Sequence, residues 1–145
     1  MTAITKETAK SRVSEVTVSG SAKGFAQNIT NGSNHLVADE PISAGGTGTG
    51  LDPHELLIAA LGACTSMTVS MYARRKDWPL ESVSVNLRHA KVAEPDGTQV
   101  ERIERGITFH GALSDEQRTR LLDIANKCPV HRTLTSKLDI ATKLV

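Results

Sequence analysis

Apolar residues come singly at the start of the chain: Val13, Val16 and Val18, then Phe25, Ile29, Leu36 and Val37, each group set apart by polar and turn residues. Alternation sends successive side chains to opposite faces, so this pattern predicts short, half-buried strands. The stretches SGSAKG and NGS divide them, and Asn31-Gly32 tolerates the positive φ that a hairpin turn needs. Two or three antiparallel strands are expected, preceded by a frayed tail over residues 1–12.

The pattern then changes. DEPISAGGTGTGLDP is loop material rich in glycine and proline, and Asp52-Pro53-His54-Glu55 reads as a helix start. Asp52 can cap, proline suits the first turn, and Glu55 stands where a capping box places its acid. The helix is predicted to run to about Lys76, short of Trp78-Pro79. Its first half, LLIAALGAC, is apolar or small on every side, which predicts burial nearly all round. Ala59, Ala60, Gly62 and Ala63 would let another backbone come close. Period-two alternation returns from Leu80 to Val92, with Val83, Val85 and Leu87 on one face and Ser82, Ser84, Asn86 and Arg88 on the other. EPDGTQ is a turn, and Val100 to Leu113 is a second long strand. Ser114-Asp115-Glu116-Gln117 opens a second helix carrying Leu121, Leu122, Ile124 and Ala125. Pro129 ends it after Cys128, PVHRTLTS is expected to make one or two further turns, and Leu138 to Leu144 reads as a last strand. The order βββ-α-ββ-α-β predicts an α+β fold with antiparallel pairing, in a single domain over residues 1–145.

Charge narrows the partners. Lys and Arg number 17 against 16 for Asp and Glu, and aromatics make up 3%. Nucleic acid is not expected, since neither the cationic excess nor the stacking rings are there. The N-terminus lacks the apolar stretch of a secretory signal, and the strongly apolar run from Leu56 to Leu61 is too short for a membrane span. A soluble cytoplasmic protein without cofactor is the expectation. Two cysteines, Cys64 and Cys128, do not make a disulfide scaffold, and no C-x-x-C or H-E-x-x-H pattern predicts a metal site.

The glycine run 45–50 precedes a helix N-terminus, where anions are favoured. No Lys follows it as a phosphate-binding loop requires, its spacing is G-x-G-x-G, and Asp52 would repel phosphate. It is read as a tight turn that brings two backbones together. The thiols are the stronger candidates. Cys64 has Ala60, Leu61, Met67 and Thr68 for helical neighbours, so any group stabilising its thiolate must come from another segment or subunit. Cys128 can cap the short helix after it, with His131 and Arg132 close in sequence, and is locally the more activated thiol.

GGTGTGLDPHELLIAALGACTSMTVSMYARRKDWPLESVSV, with the distal RLLDIANKCPVHRTL, closely resembles the OsmC/Ohr family, in its OsmC-like branch. The resemblance implies an intertwined α+β homodimer, with antiparallel sheets around central cysteine-bearing helices. It implies a thiol-dependent peroxidase in oxidative stress defence, reducing organic hydroperoxides and hydrogen peroxide. Cys64 would be the attacking cysteine and Cys128 the resolving one, with a dithiol or a lipoylated protein as reductant. Relatives carry a catalytic Glu ten residues before the first cysteine; here that slot is His54, and Glu55 is one closer. On a straight helix His54 lies about 80° from Cys64, whereas Glu55 falls on the opposite side and is read first as a cap. The family's N-terminal arginine has no counterpart between Val13 and Gly50, where Lys23 and His35 are the basic side chains. His35, His54 and His131 are therefore candidates for the missing support. A non-catalytic ligand-binding or redox-sensing protein is the alternative, and a cysteine hydrolase ranks last because no triad is recognisable.

Overall fold

A computed structural model describes residues 12–145, so the tail expected over 1–12 lies outside the described residues except for Arg12. Two compact units result. One joins the described residues up to Leu56 with Asp139–Val145; the other is Leu57–Leu138.

In the first unit β1 (Thr17–Ser19), β2 (Gln27–Thr30) and β3 (His35–Ala38) form an antiparallel sheet in that order. Gly32 turns the β2–β3 corner at φ 93°, a conformation open to glycine, and the Asn31 Oδ1 accepts from the N–H groups of Ser33 and Asn34. The glycine loop folds around Asp39, which is only 2% exposed. Its carboxylate accepts from the N–H of Glu40 and from the N–H and hydroxyl of both Thr47 and Thr49. A Cβ on Gly46 would strike the Glu40 carbonyl, and one on Gly50 the Val37 carbonyl. The loop is thus a backbone crossing held by one acid, and its amides are spent on protein groups.

Helix α1 (Pro53–Arg75) starts with Asp52 Oδ1 accepting from the Glu55 N–H at 2.8 Å. It stops at a left-handed Asp77 (φ 53°), where the N–H groups of Asp77 and Trp78 bond back to the carbonyls of Arg74 and Ala73. By length and composition α1, with a mean hydropathy of 1.6, could also cross a bilayer. In the second unit, however, its Val69 and Ala73 pack into a core with Leu121, Ile124 and Ala125.

That core lies on an antiparallel ribbon of β4 (Leu80–Ala93) and β5 (Gln99–Gly111). Val83, Val85 and Leu87 stand opposite Phe109, Ile107 and Arg105, so an arginine occupies a position on the apolar face. Helix α2 (Asp115–Ala125) opens with the expected capping box between Ser114 and Gln117. Helix α3 (Pro129–Thr135) is capped by the Cys128 side chain, as the Cys-Pro sequence suggests. The expected last strand is absent: residues 137–145 make no ladder, and Leu138, Ile140 and Leu144 are exposed. Alternation there is not matched by ladder hydrogen bonds to either sheet.

One further difference concerns α1. Leu61, Gly62, Thr65, Val69 and Ala73 are buried, but Ala60, Ala63, Met67 and Met71 face outward, Met67 at 71% exposure. Gly62 is needed on the inner side, since a Cβ there would lie 2.6 Å from Leu87 Cδ1. A single chain therefore covers one face of a helix whose sequence is apolar on both.

Candidate functional site

The two cysteines meet in the second unit. Cys128 is fully buried at the start of α3, and Cys64 is half-buried on α1. Cysteine caps α3 because its extended backbone (φ −63°, ψ 141°) leaves the sulfur facing the helix amides. Cys128 Sγ accepts from the His131 N–H at 3.2 Å and lies 3.9 Å from the Thr65 hydroxyl. Cys64 Sγ lies 4.0 Å from Thr68 Oγ1. Burial pushes the Cys128 thiol up, but the His131 N–H, the Cys64 and Thr65 side chains and the Arg105 charge together outweigh it. The net direction is down, toward thiolate.

Arg105 is the residue that local sequence reasoning does not reach. From β5 its guanidinium donates to Thr65 Oγ1 at 2.8 Å, the Ala125 carbonyl at 3.3 Å and Asn126 Oδ1 at 2.9 Å. It also lies 3.1 Å from His131 Nδ1. A guanidinium only donates, so His131 Nδ1 is the acceptor in this contact. The positive charge beside the thiols is thus arginine's. None of these partners is a carboxylate, and among the described residues no acid pairs with this half-buried charge. A signal for it exists in the sequence: Arg105 has the alternation phase of Ile103, Ile107 and Phe109.

A cavity of about 430 Å³ opens beside Arg105 and His131. Leu61, Ile103 and Leu134 give it apolar walls, and Glu101 stands at another edge. Glu101 is engaged by the His89 ring at 2.6 Å and by Lys91 at 3.8 Å.

The remaining sequence candidates belong to the first unit. His35 is exposed on β3, its ring 3.2 Å from Asn28 Oδ1. His54 and Glu55 lie in the opening turn of α1. The Glu55 N–H holds the Asp52 carboxyl low, and the neighbouring Asp52 carboxyl holds that of Glu55 high. Among the described residues there is no cluster of three or more His, Cys, Asp or Glu able to hold a metal ion.

The family model for OsmC-like protein matches residues 46–143, which include both cysteine motifs and the whole second unit. The chain belongs to the OsmC-like family. Solved structures agree with this OsmC-like chain at the level of fold. The OsmC-like protein of Mycoplasma pneumoniae is 21% identical, with a TM-score of 0.71 over 85% of this chain and 87% of that one. The organic hydroperoxide resistance protein OhrB of Bacillus subtilis is 20% identical, with a TM-score of 0.60 over 88% and 94%. A putative organic hydroperoxide resistance protein of Vibrio cholerae, with captopril bound in one of its active sites, is 22% identical, with a TM-score of 0.62 over 92% and 93%. No curated protein matches this OsmC-like chain.

Proposed function

We propose that this OsmC-like chain is a thiol-dependent peroxidase that reduces organic hydroperoxides at the expense of a dithiol. One observation carries the reading: the half-exposed Cys64 is the chain neighbour of Thr65, whose hydroxyl lies 3.9 Å from the sulfur of the buried Cys128. The family supports it, as do the organic hydroperoxide resistance proteins that share the fold.

Cys64, the accessible thiol, attacks the outer oxygen of RO–OH as its proton passes to Cys128. The O–O bond breaks, Cys64 becomes a sulfenic acid, and the alkoxide leaves as alcohol by taking up a proton. Cys128 then attacks the sulfenic sulfur. A disulfide forms, and hydroxide departs as water with the Cys128 proton. An external dithiol reduces the disulfide and is itself oxidised to a cyclic or mixed disulfide. His131 supports Cys128 through its backbone N–H, while His35, His54 and Glu55 serve the first unit and the start of α1.

The working unit is a homodimer. The uncovered Ala60, Ala63, Met67 and Met71 face of α1 suits a second copy, because small residues allow close approach and Met fills irregular gaps.

Cumene hydroperoxide added to the reduced protein is expected to consume both thiols of each chain. Cys64→Ser is expected to leave the peroxide untouched, and Cys128→Ser to stop at a sulfenic acid trapped by dimedone. Peroxide consumption by Cys64→Ser at the parental rate overturns the reading. The cavity favours a second one, a non-catalytic carrier of a small ligand, because its walls include neither sulfur. Ligand retained through purification, with both thiols inert to peroxide, identifies that case.

A further inference from the structure

Arg105 is well placed to act on Cys128 and poorly placed to act on a substrate. Its terminal N–H groups are engaged by Thr65, Ala125, Asn126 and His131, so they are committed to α1, the end of α2 and α3. Thr65 is the one partner that continues to a sulfur. It is fully buried and has a single hydroxyl proton with two acceptors in view, the Leu61 carbonyl at 2.7 Å and Cys128 Sγ at 3.9 Å. Accepting from a guanidinium polarises that hydroxyl and strengthens the bond it donates. With Cys128 neutral, the carbonyl holds the proton. With Cys128 ionised, the proton turns to the sulfur, and the arginine gains the counter-charge that its other partners lack.

We propose that Arg105, acting through the Thr65 hydroxyl, is a positioning residue that makes Cys128 the departing thiolate when a Cys64–Cys128 disulfide is opened by a dithiol. Burial sets the direction of attack. Cys128 is fully buried within its own chain and Cys64 is only half-buried there, so the incoming thiolate meets the Cys64 sulfur. A new S–S bond forms between reductant and Cys64 as the old one breaks, and Cys128 leaves with the electron pair. The reductant's second thiol then displaces Cys64, and the reductant ends as a cyclic disulfide. A leaving thiol departs faster the lower its pKa. Among the described residues, Cys64 from α1 and Arg105 from β5 are the titratable or charged side chains bearing on Cys128, and His131 from α3 acts on it through its backbone N–H.

This role rests on the disulfide of the proposed peroxidase cycle, and its test does not need peroxide. In a Cys64→Ser background, ultraviolet thiolate absorbance against pH reads Cys128 alone. Adding Thr65→Val is expected to cut the thiolate at neutral pH roughly tenfold, with Thr65→Ser restoring it and Arg105→Gln reproducing the loss. In the two-cysteine protein, oxidised with diamide, Thr65→Val is expected to slow reduction by dithiothreitol several-fold. A monothiol reductant should be trapped on Cys64. Titrations unchanged by Thr65→Val and Arg105→Gln in folded protein, or a reductant trapped on Cys128, overturn the role. Failure with peroxide alone overturns only the peroxidase reading.

Discussion

Asp39 shows how one side chain can organise a segment. The glycine loop offers the amides and hydroxyls of Thr47 and Thr49, and the Asp39 carboxylate takes all four. The Thr47 hydroxyl is the largest influence holding its pKa below the usual carboxylate range, with Thr49 and the Thr49 and Glu40 amides adding to it against burial. A group with a depressed native pKa stabilises the fold above its unfolded pKa, about 3.9, and loses that contribution as pH falls toward the native value. Asp39→Asn is therefore expected to lower the melting temperature at neutral pH, by a margin that narrows as the pH drops below about 4. Thermal melts of both proteins from neutral to acid pH check this; a margin independent of pH would rule out a charged acceptor. The sequence showed the glycines and their avoidance of phosphate chemistry. It did not show the acid that gathers them, because Asp39 and Thr49 meet only once the loop has closed.

At the scale of elements, local signals were legible wherever a cap or an alternation carried them. The capping box at Ser114, the start of α1 at Asp52 and the Cys128 cap of α3 depend on neighbours in sequence, and each forms. The end of α1 before Trp78-Pro79 was equally legible, although the residue that turns it was not. Asp77 adopts a left-handed backbone that costs an L-residue about 1 kcal/mol and a glycine nothing. Asp77→Gly is expected to stabilise the protein by up to about 1 kcal/mol, read from the urea midpoint at constant slope. A loss of stability would mean that the aspartate side chain holds the turn. The strand expected at Leu138–Leu144 failed for the opposite reason. Alternation gives a segment two faces, but only pairing with a neighbouring strand gives it ladder hydrogen bonds.

At the scale of the whole molecule, the unmet demand is the outer face of α1. Met67 is 71% and Met71 47% exposed along a helix apolar on both sides. Covering a methionine is worth about 1.5–3 kcal/mol, and a charge in its place would have to be desolvated. The parent is expected to sediment as a dimer, and Met67→Lys to weaken association by at least about 100-fold. Sedimentation velocity across a dilution series measures both. A monomeric parent would show that this face is closed in another way.

Sequence by itself determined the α+β order, the caps, both thiols and the family to which they belong, because each is written in residues close together or in a recurring motif. Tertiary structure decided which groups surround the thiols. Arg105 stands 41 positions from Cys64 and 23 from Cys128, and only the pairing of β4 with β5 carries its guanidinium under α1 to Thr65. The positive charge sought among histidines near the cysteines thus came from a strand. An arginine in the apolar phase of that strand can remain there because the middle of α1, the end of α2 and the start of α3 supply the acceptors it needs.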